Sequence, residues 1–148
     1  MRSFKDLEGR QWQVAVTVGS IKRVKGLLGV DLTDLTSGDP PLLTRLGMDV
    51  MLLCDVIYVL CQPQANERGI SDEQFGIALG GDAILTASEA FWGELIDFFQ
   101  QVRRTDQATA IRKQQELIQA AVKAADKQIG QMETGEIVEQ TFSGSATK

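Results

Sequence analysis

Residues Met48 to Cys61 form the most apolar stretch of the chain, and only Asp49 and Asp55 interrupt it with charge. Such a run is long for a strand, yet a bilayer span takes about 20 residues. It therefore predicts a buried central helix, capped by Asp49 and ending near Pro63, around which the rest of the chain must pack. Asp55 is the exception inside it, and a carboxylate there predicts a position at the edge of a groove, solvated or paired. Cys54 and Cys61 lie on the same helix, about 10.5 Å apart along its axis at 1.5 Å per residue. That is beyond disulfide reach, so they read as two small apolar side chains.

The elements before the central helix offer it a sheet and a short helix. Phe4 to Leu7 predicts a strand, Glu8-Gly9 a turn, and Gln11 to Val18 a second strand with Trp12, Val14, Val16 and Val18 on one face. A lone hairpin is marginal in water, so that face must pack on helices. Ser20 predicts an N-cap for a helix ending at Leu28 and Gly29, with Ile21, Val24, Leu27 and Leu28 along one side. Val30 to Leu35 alternates weakly, as a third short strand would. Asp39-Pro40 predicts the start of a short helix, with proline in its first turn, stopping at Gly47.

Beyond the central helix, Ser71-Asp72-Glu73-Gln74 fits a capping box that turns Phe75, Ala78 and Leu79 inward. Gly80-Gly81 breaks the chain and Asp82 predicts the cap of an aromatic helix carrying Ile84, Ala87, Phe91, Leu95, Phe98 and Val102, widened by Trp92, Ile96 and Phe99. From Gln107 to Met132 the composition changes to Ala, Gln, Lys and Glu, strong helix formers. Ile111, Ile118, Val122, Ala125, Ile129 and Met132 run along it as a stripe closer to a coiled-coil seam than to a core helix. Thr105 or Asp106 caps this helix separately, or it continues from Asp82 as one rod; the residues allow both. These elements predict an α+β fold, an N-terminal β-hairpin packed on a mostly helical body with a long C-terminal amphipathic helix. The expected division is residues 1–104 for hairpin and body, 105–132 for a projecting helix, and 133–148 for a disordered tail.

Composition narrows the chemistry. The 148 residues include no histidine, which removes the commonest general base, the histidine-containing triads and the commonest zinc ligand. No Gly-Lys-Ser/Thr or Gly-x-Gly-x-x-Gly phosphate loop is present. The expectation is a non-enzymatic protein with no cofactor and no metal. The first ten residues hold five charges and no apolar core of a signal peptide, which predicts a cytoplasmic location with no membrane contact. The net charge of −5 is unevenly laid out: residues 1–26 carry six basic against two acidic side chains, and residues 27–100 two against twelve. A polyanion partner for the whole molecule is disfavoured. The basic end (Arg2, Lys5, Arg10, Lys22, Arg23, Lys25) beside Trp12 keeps a nucleic-acid-binding reading in view as an alternative, and a contact between copies through opposite charges is a second possibility.

Two stretches together resemble a known family. The first runs from Phe4-Lys5-Asp6-Leu7-Glu8-Gly9-Arg10-Gln11-Trp12 through the hairpin to Ile21-Lys22-Arg23-Val24. The second holds Asp55-Val56-Ile57-Tyr58-Val59-Leu60-Cys61, Gln64-Ala65, Gly69-Ile70-Ser71-Asp72-Glu73-Gln74-Phe75 and Leu79-Gly80-Gly81-Asp82. This order of hairpin, apolar helix, Ser-Asp-Glu-x-Phe cap, Gly-Asp break and aromatic helix, over about residues 4–100, is similar to the tail assembly chaperones of long-tailed phages and related gene transfer agents. The resemblance implies a non-enzymatic protein whose partner is a protein client, the long helical tape-measure protein, coated before the tail tube polymerises around it. A structural tail or neck subunit retained in the virion is the alternative within the same setting. The surfaces expected to meet a partner are the stripe of Ile111, Ile118, Val122, Ala125, Ile129 and Met132, with Trp92 and Phe99 of the aromatic helix.

Overall fold

A computed structural model describes the backbone of residues 2–146 and side chains as far as residue 129. Strand β1 (Arg2–Lys5) pairs antiparallel with β2 (Gln11–Val14), Phe4 lying opposite Trp12. Alternation along β2 buries Trp12 and Val14, and the strand ends there, four residues short of expectation. Val18 instead opens helix α1 (Val18–Leu28) and is exposed. Thr17, not Ser20, is the N-cap: its Oγ1 accepts from the Ser20 amide at 3.1 Å, and Ser20 Oγ accepts from the Thr17 amide at 2.8 Å. Gly29 closes α1 in the left-handed conformation as expected, with φ 69°.

No strand forms across residues 30–35. Val30, Leu32 and Leu35 are buried, but the Asp31 carboxylate accepts from the Thr33 amide at 2.9 Å and turns the chain locally, in competition with a ladder. The Asp39–Pro40 peptide is cis, and helix α2 (Leu42–Met48) starts two residues after the expected point, with Pro41 as N-cap. Asp49 ends α2 and begins helix α3 (Val50–Arg68), accepting from the Met51 and Leu52 amides at 3.1 Å each.

Helix α3 runs past Pro63 to Gly69, beyond its expected end. A proline inside a helix removes the amide that would bond to the carbonyl four residues back, here that of Val59. The Arg23 guanidinium of α1 donates to that carbonyl at 3.2 Å, so the vacant acceptor becomes a tie between α1 and α3. Helix α4 (Asp72–Ile77) begins at the expected Ser71–Gln74 capping box. Its one buried residue, Phe75, makes edge contacts with Trp12 and Tyr58 at ring-centroid distances of 5.0 and 5.2 Å, joining hairpin, α3 and α4 at one point.

Helix α5 (Asp82–Gln101) starts from Gly81 with no side-chain cap; Asp82 lies in its first turn. It ends before Val102, Arg103 takes a positive φ of 61°, and the Arg104 amide reaches back to the Phe99 carbonyl at 2.7 Å. Residues 82–132 are therefore two helices, with α6 (Thr105–Ala146) starting anew. Strand β1 packs on α5, while β2, α1, α2 and α4 pack on α3. This confirms the α+β fold, an N-terminal hairpin on a mostly helical body followed by a long C-terminal helix.

The chain divides into two compact units, Met1–Ile111 and Arg112–Lys148. The first turns of α6 thus belong to the body: Gln107, Ala108 and Ile111 are buried, and Gln107 Oε1 accepts from the Leu35 amide at 3.0 Å. The α6 backbone takes in most of the segment expected as a loose tail, ending at Ala146.

Candidate functional site

Helix α6 supplies the first candidate surface, and burial splits the expected stripe. Ile111 is fully buried among core residues and is lost to any partner. Trp92 and Phe99 are likewise core residues, packed with their neighbours Phe91 and Phe98 on α5. An amphipathic helix against a core must bury its largest rings first, and these two lie on the buried side. Ile118, Val122 and Ile129 are 46%, 53% and 54% exposed, and Ala125 is exposed between them. At about 100° per residue these four fall on one narrow face. Met132 lies outside the described side chains.

The body carries a second surface, of which the sequence reading marked only the Asp55 edge. A groove of about 530 Å³ runs between the start of α3, α4 and the start of α5. Val50, Met51, Ile77 and Ile84 line it on the apolar side, with Phe75 and Leu79 at its floor, and Asp55, Asp72 and Glu73 supply charge. Met51 and Ile77 are about 70% exposed, and Met48 and Leu85, adjacent in sequence to lining residues or nearly so, are also exposed. The expectation that α3 is buried throughout Met48–Cys61 fails on this face. Asp55 was the available signal, because Met51 and Asp55 lie four residues apart on α3 and the carboxylate marks the wet side. Burial pushes the Asp55 carboxyl above its ordinary range, and the neighbouring charges of Asp72 and Asp49 push it further.

Cys54 borders the same groove, whereas Cys61 lies in the core further along α3, its sulfur against the Gln13 carbonyl of the hairpin. Burial drives the Cys61 thiol up to about 12, against smaller opposing effects of Arg68 and Arg23. Burial, then Asp55, also raises Cys54. Neither thiol is activated toward nucleophilic chemistry, which needs the thiolate. Among the described residues no group of three His, Cys, Asp or Glu is placed to hold a metal ion, and no helix is long and apolar enough to cross a membrane.

The arginines of the basic N-terminal patch and its tryptophan are engaged by the fold, while Lys5, Lys22 and Lys25 stay exposed. Trp12 is fully buried and donates its indole N–H to Asp6 Oδ2 at 2.9 Å. Arg10 binds the same carboxylate, Arg2 pairs with Glu94 and Asp97 of α5 across Gly93, and Arg23 holds Val59. Asp6 is the residue sequence reasoning overlooked. It also accepts from the Glu8 and Arg10 amides at 3.0 and 2.9 Å, closing the hairpin turn from inside. Burial alone raises an acid, but the hydrogen bonds from Trp12 and Arg10 and the Arg10 charge outweigh it and hold Asp6 below the usual carboxylate range. The tryptophan face needed for base stacking is therefore enclosed.

Comparison with family models, curated proteins and solved structures returned no match to this chain.

Proposed function

We propose that this protein is a non-enzymatic tail assembly chaperone, which binds an elongated helical client of the tape-measure type in the bacterial cytoplasm during phage tail morphogenesis. The observation supporting this reading is the exposed stripe of Ile118, Val122, Ala125 and Ile129 on α6. Apolar side chains repeating along one helix face are the pattern by which a helix covers the apolar stripe of another. The resemblance over residues 4–100 supplies the identity of the client, and the stripe supplies a surface to hold it. Trp92, Phe99 and Ile111 take no part in that contact, since they are consumed by the core.

Co-expression with a tape-measure protein tests the reading. The client is expected to stay soluble with the native chain and to precipitate with an Ile118→Asp/Val122→Asp variant. Both positions are exposed, so the variant should unfold within about 0.5 kcal/mol of the native chain. A client that precipitates equally with both proteins overturns the proposal. Stable rings or tubes of the chain alone would favour a retained tail subunit instead.

A further inference from the structure

The α3–α4–α5 groove combines two properties that a resting surface has little reason to combine. It exposes large apolar side chains, Met51 and Ile77 above all, and it gathers Asp49, Asp55, Asp72 and Glu73 in the same neighbourhood. The ion pairs seen among the described residues lie elsewhere, on Asp6, Glu94, Asp97 and Asp106. Residues 27–100 provide only Arg45 and Arg68 against twelve acids, so the chain has little of its own to offset this charge. An apolar cleft with a carboxylate rim is complementary to a helix that carries apolar anchors flanked by cations. Methionine at the rim suits it to a helical guest, because an unbranched thioether repacks around different side chains.

We propose that this groove docks a basic amphipathic helix of a partner protein. A second copy of the chain fits the groove poorly. Its basic helix α1 buries Ile21 and Val24 in its own core and turns Lys22 and Lys25 outward. Its α6 has an exposed apolar stripe, but Lys123 and Lys127 lie about 100° or more around the helix from it. Neither presents a row of exposed apolar anchors closely flanked by cations: the exposed Val18 and Leu27 of α1 lie on opposite sides of that helix, and the α6 stripe has its lysines well off to the side. This inference stands apart from the α6 stripe and uses different residues.

The test titrates the full chain into a fluorescein-labelled 18-residue helical peptide of leucine and lysine, leucines at i, i+3, i+4 and i+7, and into its leucine–glutamate counterpart. Fluorescence anisotropy is expected to show the lysine peptide binding at least tenfold more tightly, with affinity falling as salt rises. Ile77→Ser and Asp72→Lys/Glu73→Lys are each expected to weaken it at least tenfold, the second also narrowing the preference between peptides. Glu89→Lys, outside the groove, and Ile118→Asp/Val122→Asp are expected to leave it unchanged. Circular dichroism melts verify that every variant is folded, and Ile77→Ser serves if the charge reversal disturbs α4. Absence of binding overturns the proposal, as does equal weakening by Glu89→Lys, which means diffuse attraction to an acidic protein. Loss of binding in the Ile118/Val122 variant assigns the peptide to α6 and overturns it as well. So does a concentration-dependent dimer in sedimentation that Asp72→Lys/Glu73→Lys abolishes, because the groove is then filled by a second copy.

Discussion

Two aspartates respond to pH in opposite directions because their surroundings differ. Asp6 is held below its unfolded value, so its contribution to stability is complete above that value and is lost as pH falls through the folded one. Asp6→Asn is expected to cost about 2–4 kcal/mol at pH 7, since it leaves Trp12 and Arg10 short of a charged acceptor. Its urea-unfolding stability should also change less between pH 5 and pH 2 than that of the native chain. Asp55 lies above its unfolded value, so the fold binds that proton more readily than the unfolded chain and gains as pH falls through this range. Asp55→Asn is accordingly expected to leave the melting temperature at pH 7 unchanged or slightly raised. The thiols supply a third readout. Iodoacetamide at pH 7.5 should label Cys54 slowly and Cys61 only after denaturation, as mass spectrometry of the modified peptides would record. At this scale the sequence placed the Asp49 and Ser71 caps, misplaced those expected at Ser20 and Asp82, and was silent about Asp6. The Ser71–Gln74 box and the Asp49 cap rest on neighbours within three residues. The Asp6 cluster depends on how the hairpin closes, and no periodicity reports that.

Among the elements, the pairing of Pro63 with Arg23 carries a coupled expectation. Arg23→Met leaves the buried Val59 residue with an unsatisfied carbonyl and should cost about 1–2 kcal/mol. In a Pro63→Ala background the restored amide can take that acceptor, so the same change should cost much less, and a double-mutant cycle in urea measures the difference. Pro63 also shows why helix ends are hard to read from sequence. Proline commonly ends a helix, and here Arg23, 36 residues before Val59 in sequence, takes up the carbonyl that Pro63 leaves open. The missing third strand teaches the same lesson in reverse, since Val30, Leu32 and Leu35 are buried in the core while Asp31 turns the backbone out of any ladder. Helix α6 gives the sharpest contrast within one element. Ile111→Asp should destabilise the body by 3 kcal/mol or more, roughly the cost of an unpaired charge in a core. Ile118→Asp, one stripe position further along, should change stability by less than about 0.5 kcal/mol. The stripe was legible as a repeat of apolar residues. Its division between core and surface was not, because spacing along a helix does not tell where the neighbouring elements stop.

Across the whole molecule, the arrangement of hairpin, central helix and aromatic helix followed from hydrophobic pattern, whereas the groove did not. Apolar residues on a sequence look alike whether they are sealed in or left open, and only the packing of α4 beside α3 leaves Met51 and Ile77 uncovered. Five of the long-range hydrogen bonds share a common form. Gln64 binds both the amide and the carbonyl of Gln13, Arg68 binds the carbonyl of Gln11, Arg23 that of Val59, and Gln107 the amide of Leu35. In each, a side chain on a helix grips main chain elsewhere. A main-chain group survives almost any codon change, so these fastenings can be undone from one end only. Drift at positions 11 and 13 should be well tolerated, and substitutions at 23, 64, 68 and 107 should carry the penalties. A saturation mutagenesis map of this protein would accordingly be lopsided around the hairpin, with positions 64 and 68 fragile and the distant positions 13 and 11 they grip permissive, whereas Val59 and Leu35 are themselves held by the core.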